Sequence, residues 1–583
     1  IELLRISSMI KKNVSLLVAL FISLNVLGQK ESVPLIDYNS IYHPEIGKEG
    51  MVVSQRRVAS QVGSDILRRG GNAVDAAVAT ALALSVVLPR AGNLGGGGFM
   101  VIHLANKEKT LVIDYRERAP GKSTRDMFLD ALGNYDENKA RNSLLSAGVP
   151  GTVAGLAYAL ENYGSLSWAE VIDPAIKLAE EGFEVSHDFA NILEIYKGKL
   201  TNNSATAKAY YKEEATPYLP GEIIKLPDLA LSLKELREDG PRAFYTGEIA
   251  NKIIAAMENG GGLITQDDLE NYSVAVRKPV EGTYRGYKII SMPPSSSGGI
   301  HLIQMLNMLE EFPLEKMGFG SSESIHLLAE VMKRAFADRS KFLGDSDFVY
   351  VPEEGLLSKS YAKELNKTIK SFRATPSKQI KGGDPFRYES PDTTHFSVMD
   401  EAGNAVSNTY TLNSSFGSGI VIPGTGILMN NEMDDFSSKP GVPNQFGLVG
   451  AEANAIEANK RPLSSMTPTM VFKGEEPLLI LGSPGGPRII TAVLQVIINV
   501  IDHKMNIAEA VSSPRLHHQW SPDILFSEKG FSVDTLKILE KKGHNLLQTR
   551  AMGSVQAILY EGEYFYGAAD SRRPNSGAVA VSP

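Results

Sequence analysis

The chain has 583 residues, with 59 Lys and Arg against 67 Asp and Glu, for a formal net charge of -8 at pH 7. That length supports a large core and two or three domains, and mild acidity without a basic block gives no reason to expect nucleic acid or an anionic membrane as a partner. Cysteine is absent, which excludes disulfides, a thiolate nucleophile and any Cys-based metal centre.

The first thirty residues differ from the rest. Lys11 and Lys12 precede an apolar run from Val14 to Val26, followed by Leu27-Gly28-Gln29. A basic start, a short apolar stretch and small residues at the exit read as a secretory signal peptide over residues 1–28, with Met9 as an alternative start. The run is short for a membrane span, and no other stretch approaches one. The mature chain is therefore expected to be exported, periplasmic or extracellular, with no membrane span.

Asn72 to Leu88 is rich in Ala, Val and Leu and reads as a buried helix stopped by Pro89. It runs into Asn93-Leu94-Gly95-Gly96-Gly97-Gly98-Phe99. No Lys-Ser/Thr follows, so this is not a P-loop but a packing turn. Strands are expected at Met100 to Leu104 and at Thr110 to Tyr115, the second ending at Arg116. Ser167 and Glu170 form a capping box that opens a helix to about Glu181, and a long helix covers about Ser322 to Arg339. Long helices mixed with short strands indicate an α/β or α+β protein.

Residues 367–392 are polar, with Pro376, Gly382-Gly383, Pro385 and Pro391, and read as an exposed linker. The pattern then changes to strand at Thr393 to Met399. Turn chemistry at Asp400 to Asn404 and a second strand from Ala405 to about Leu412 complete a β-hairpin. A turn centred on Ala402 puts Thr393 opposite Thr411, with Cβ atoms about 5 Å apart and the hydroxyls within bonding reach. A bulge at Gly403 would shift that pairing by one residue. His395, on the same strand face as Thr393, is within reach of such a site. His517-His518 has no carboxylate or third histidine at ligand spacing, so a structural role is expected and no metal is invoked.

Pro391-Asp392-Thr393-Thr394-His395-Phe396-Ser397-Val398 resembles the processing site of the γ-glutamyltransferase family. Asn408 to Asn413, Asn430 to Phe436, Lys460 to Met466 and Gly482 to Gly486 match its later tracts in order and spacing. Asn93 to Phe99, Asp114 to Pro120 and Met292 to Gly299 match the earlier ones. The resemblance runs from about residue 45 to the C-terminus. It implies an N-terminal-nucleophile hydrolase, an α+β four-layer αββα sandwich. Self-cleavage between Asp392 and Thr393 would leave a large fragment, 29–392, and a small one, 393–583, as an interwoven heterodimer.

By the same resemblance Thr393 is the nucleophile, and its freed α-amine, with an unperturbed pKa of about 8, suits a local general base. Thr411 orients it, and the backbone N–H groups of Gly485 and Gly486 receive the oxyanion. Arg116 matches the residue that takes the donor's α-carboxylate, helped by Ser464 and Ser465, because a guanidinium forks onto a carboxylate. Asn413, Glu432 and Asp435 match acceptors for the α-ammonium. Several relatives carry glutamine at the position of Glu432. Phe446, in Lys439 to Gly447, matches a lid residue that is often tyrosine. The implied substrates are glutathione and other γ-glutamyl compounds, with water, amino acids or dipeptides as acceptors and no cofactor.

Overall fold

The computed structural model describes residues 36, 38–382, 394–439, 442–445, 447–448 and 451–582. The expected signal peptide, Asp392, Thr393 and Phe446 lie outside the described residues. From Pro44 onward the chain forms one unit built on two seven-stranded sheets. The first runs Gly577–Val581, Gly50–Ser54, Thr394–Asp400, Ala405–Thr411, Gly97–Leu104, Lys109–Tyr115 and Ala275–Arg277, every neighbour antiparallel. The second runs Glu45–Gly47, Tyr564–Ala569, Gln556–Glu561, Glu476–Gly482, Thr469–Lys473, Tyr287–Ser291 and Val280–Tyr284, also antiparallel.

Successive side chains on a strand point to opposite faces, and this alternation divides the apolar residues between two cores. Met51, Val53, Phe99 and Val101 enter the core that holds Ile480 and Ile558 of the second sheet. Val52, Met100 and Ile102 enter the other, with the Ala73–Val87 helix. The sheets are stitched face to face: Ser397 Oγ donates to the Gln556 carbonyl and Ser407 Oγ to that of Leu481. Helices Gly298–Leu309, Ser322–Phe342 and Arg488–Ile501 bury their apolar residues with the second sheet. The order is helix, sheet, sheet, helix, which is the expected αββα arrangement.

The expected hairpin forms without a bulge. Thr394 faces Tyr410, His395 faces Thr409 and Met399 faces Ala405, so the turn is centred on Ala402. Gly403 supplies its left-handed residue at φ 83°. Every described residue of both strands is buried.

All fifteen residues of the Ala73–Val87 helix are buried, as its apolar circumference requires. Asn72 accepts from the Val74 and Asp75 N–H groups, and Asp75 returns to the Asn72 N–H. The same Asp75 carboxylate accepts from the Ser165 and Leu166 N–H groups and from Ser165 Oγ. One buried acid thus ties this helix to the turn before the Trp168–Glu181 helix, whose expected Ser167–Glu170 capping box forms.

The expected exposed linker is docked over its first part. Ala374, Ser377 and Ile380 are buried. Trp520 Nε1 donates to the carbonyls of Ser377 (3.0 Å) and Ile380 (2.9 Å), while Asp523 accepts from Ser377 N and Oγ, both at 2.8 Å. Most of these contacts are made by backbone groups, which leave no apolar period in the sequence.

Replacing Asp75 with alanine removes the acceptor of several part-buried donors, at up to about 1–3 kcal/mol each where water cannot reach them. Asp75→Ala is expected to lower the thermal unfolding midpoint by several degrees, whereas Asp65→Ala, whose side chain is 45% exposed, leaves it within about one degree. Equal midpoints for the two variants would mean that Asp75 is not a structural tie.

Candidate active site

The second hairpin strand ends at Thr411, beside a cavity of about 450 Å³ lined in part by Thr411, Asn413, Pro484 and Gly485. The strand end is fixed from behind. Asn93 Nδ2 donates to the Thr411 carbonyl at 2.8 Å, and Asn93 Oδ1 accepts from Gly96 N and Thr152 Oγ1. A Cβ on Gly96 would stand 1.9 Å from that carbonyl, so only glycine permits the approach and the expected packing turn is explained. Thr411 Oγ1 accepts from Asn413 N at 2.7 Å. Position 413 is left-handed at φ 72°, which asparagine tolerates. Asn413 Nδ2 donates to the Asn431 carbonyl, and the buried Oδ1 has no partner among the described residues.

Gly485 and Gly486 sit at φ 130° and 68°, immediately before the Arg488–Ile501 helix. That backbone is strained for any L side chain. It lies at the positive end of a fourteen-residue helix, where an anion is favoured, with Gly485 on the cavity wall and Gly486 buried behind it. Ser483 Oγ accepts from Ser554 N and donates to the Pro484 carbonyl, pinning the turn to the 551–554 loop.

Arg116 follows directly on the Lys109–Tyr115 strand, and its N–H is held by Asp114 Oδ1 at 3.0 Å. Its guanidinium is 1% exposed and closed upon carboxylates. One terminal nitrogen bonds Glu432 and lies 3.5 Å from Glu117, the other bonds Asp435 at 2.6 Å, and Nε donates to the Pro462 carbonyl. Glu432 and Asp435 lie on one 3₁₀ turn, Glu432–Asp435. Burial would lower the arginine's pKa, but Glu432, Glu117 and Asp435 outweigh it and raise it. Three carboxyls share this one guanidinium, and burial drives Glu432 well above the usual carboxylate range and Glu117 up to about 7. The structure thus pairs Arg116 with two of the residues expected to bind the opposite end of an amino acid. Glu117 joins them; it stands in the tract matched above, but nothing in the sequence shows that its side chain turns inward.

Ser464 and Ser465 are buried where the two serine tracts meet. Ser464 N donates to the Ser295 carbonyl, Ser297 N to that of Ser464, and Ser465 Oγ bonds Arg339. The Pro462 bond to Arg116 brings this segment to the charge cluster. His395 is not at the cavity. Its ring bonds Thr409 and Ser397, and burial holds its pKa down at about 3, so it is a neutral strut.

His517 bonds Thr491 and Gln519. His518 lies 3.3 Å from Asp523, a carboxylate the sequence spacing did not suggest. Among the described residues His326, Glu330 and His544 also come together. There the His326 and His544 rings bond each other, and Glu330 accepts from Lys333, Arg334 and Thr375 N. Two cations already satisfy the carboxylate, so the trio is a structural network rather than a ligand set.

The gamma-glutamyltranspeptidase family model matches residues 59–580. The glutathione hydrolase proenzyme of Escherichia coli (strain K12) is 52% identical over 534 residues, covering 91% of this chain and 92% of that protein. A crystal structure of cephalosporin acylase from Bacillus halodurans superposes with a TM-score of 0.84 at 28% identity, covering 95% of this chain and 99% of that one. The Helicobacter pylori gamma-glutamyltranspeptidase gives 0.57 at 46% identity, over 59% of this chain and 97% of that one. Matched along nearly its whole length, and folded as the four-layer sandwich, the chain belongs to the gamma-glutamyltranspeptidase family of enzymes.

Proposed function

We propose that the chain cuts itself between Asp392 and Thr393 and then transfers γ-glutamyl groups from glutathione and related amides. The observation that carries the donor class is the buried cluster of Arg116 with Glu432 and Asp435. An amino-acid head carries one cation and one anion. Interposed in this pair it meets a partner for each, its carboxylate taking the Arg116 fork and its ammonium taking Glu432 and Asp435. The unpartnered Asn413 Oδ1 is a further acceptor for that ammonium, and Ser464 and Ser465 flank the carboxylate. A glutaryl group, which lacks the amine, would leave Glu432 and Asp435 facing nothing.

The Thr393 hydroxyl attacks the γ-carbonyl while the Thr393 α-amine takes its proton, with Thr411 orienting the hydroxyl. The Gly485 and Gly486 N–H groups hold the oxyanion. Collapse breaks the C–N bond, the departing amine takes the proton, and a γ-glutamyl ester remains on Thr393. Water or an incoming amine then attacks that ester and restores the hydroxyl. The products of self-cleavage, 29–392 and 393–583, would stay together because strands of both fragments pair within each of the two sheets. Export through the 1–28 signal and a covering role for Phe446 belong to the same reading. No helix among the described residues is long and apolar enough to cross a membrane.

The purified protein is expected to give two bands on a denaturing gel, and Thr393→Ala one. It should hydrolyse a γ-glutamyl anilide and not the glutaryl counterpart. An uncut wild type that turns over both anilides equally would remove the proposal.

Arg116→Lys keeps the charge but loses the fork. It is expected to lower kcat/KM for γ-glutamyl donors by well over tenfold, about 2 kcal/mol or more, while self-cleavage proceeds. An unchanged kcat/KM would take Arg116 out of the site.

The Glu117 carboxyl, raised from 4.5 to about 7 chiefly by burial, makes a pH-dependent contribution. A carboxyl that is harder to ionise folded than unfolded costs nothing below pH 4.5. Its penalty grows between pH 4.5 and 7 and is full above 7. Glu117→Gln is therefore expected to raise the unfolding midpoint more at pH 8 than at pH 5. A larger gain at pH 5 would contradict the assignment.

A further inference from the structure

The cavity beside Thr411 has two unlike ends. The groups proposed to read the donor's amino-acid head are buried and do not line it, apart from Asn413. Its remaining wall includes Arg90, Arg488, Arg550 and Arg573, and no carboxylate is among the described lining residues. Arg90 is neutralised by Asp188 at 3.3 Å, and Arg488 lies over the Phe526 ring. Arg550 is exposed and Arg573 half-buried, and neither side chain has an ion-pair or hydrogen-bond partner among the described residues.

Two amide donors point the same way. Gln55, 4% exposed and on the cavity wall, has an Nε2 with no partner among the described residues, and so has the lining residue Gln445. A buried donor without a partner is costly and rare. Here two of them share a wall with a local excess of positive charge, which fits an incoming anion and repels a cation.

We propose that this wall is a carboxylate subsite. It takes the free C-terminal carboxylate of whatever lies on the nitrogen side of the γ-glutamyl bond, first in the departing peptide and then in the amino acid or dipeptide acceptor. The proposal rests on the γ-glutamyl transfer reading. On that reading the scissile carbonyl lies between Thr411 and Gly485, and the cavity that these two residues line continues along this wall. A planar carboxylate matches a guanidinium and side-chain amides together. Arg550 and Arg573 hold the anion, with Gln55 as the donor at the inner end.

The test compares acids with their amides. Donors are glutathione, its C-terminal amide and a γ-glutamyl anilide; acceptors are glycylglycine and glycylglycinamide. The wild type is expected to favour each acid over its amide by about tenfold or more in kcat/KM, and to lose much of that preference in 0.5 M salt, as expected of a partly exposed charge pair. In Arg550→Gln/Arg573→Gln the ratio of glutathione to anilide kcat/KM should fall at least fivefold and the acid preference should vanish. A merely structural role for the arginines would lower both donors together. A readout independent of turnover is modification of Arg550 and Arg573 by phenylglyoxal, followed by mass spectrometry. Glycylglycine should protect them and glycylglycinamide should not.

Equal use of acids and amides by the wild type overturns the subsite, and so does a preference that survives in the double variant. Protection by inorganic phosphate but not by glycylglycine overturns it as well. Failure of the wild type to cleave the anilide would instead count against γ-glutamyl transfer, and the protection experiment would still decide the subsite.

Discussion

Everything at the site hangs on the position of the Thr394–Asp400 strand, which has neighbours on both edges and cores on both faces. Gly50–Ser54 pairs along one side and Ala405–Thr411 along the other. Phe396 and Val398 face the helices, while Met399 faces the second sheet. Slipping such a strand by one residue would exchange its two faces, so its register is among the most strongly fixed features of the fold. The residue that begins it needs no adaptable loop to aim it. The same rigidity carries to Thr411, whose carbonyl Asn93 clamps from behind, and then to Asn413. Position at the strand ends is supplied by the sheet, while the Gly485-Gly486 turn, the Glu432–Asp435 turn and much of the cavity wall come from loops.

A second constraint is electrostatic. Placing three carboxyls around one guanidinium, fully out of water, cannot leave all of them ionised at little cost. Burial raises Glu432 and Glu117 and so relieves the imbalance by protonation. A protein selected only for stability would have little use for this arrangement. An amino-acid head brings one cation and one anion and so leaves the net charge as it is; on the proposed reading its ammonium gives Glu432 and Asp435 a partner of their own once its carboxylate has taken the Arg116 fork. On that reading a group lacking the amine would take the arginine and leave those carboxyls unpaired, which is the basis proposed for discrimination.

Much of the framework was legible in the sequence because it is written in local chemistry. The turn residues Asp400 to Asn404 fix a hairpin and its pairing, Ser167 and Glu170 announce a helix start, and the apolar Ala73–Val87 stretch declares a buried helix. The order and spacing of the family tracts identified the family. What the sequence did not show is contact between polar groups far apart in the chain. Ser377 docking on Asp523 and Trp520 is largely backbone bonding, which has no periodicity and made a partly docked segment read as an exposed linker. Glu117 carries no sign that it faces Arg116. The arginines at 90, 488, 550 and 573 come from four separate segments, and only folding makes them one wall.

The division of the site has a consequence for the order of events. Arg116 and its carboxylate partners are buried away from the cavity, while Thr411 and Gly485 face its open volume. On the proposed reading the departing peptide and the acceptor use the same open side in turn, and the γ-glutamyl ester proposed on Thr393 has to outlast that exchange. Water can reach the same volume throughout. The balance between hydrolysis and transfer then depends on how long an acceptor dwells against the wall relative to the lifetime of the ester. An anchor for the acceptor's carboxylate acts on that dwell time directly, because it holds the attacking amine near the ester without touching the reacting atoms. On the proposed reading, transfer depends on a part of the cavity separate from the groups that choose the donor, so the two properties can change independently.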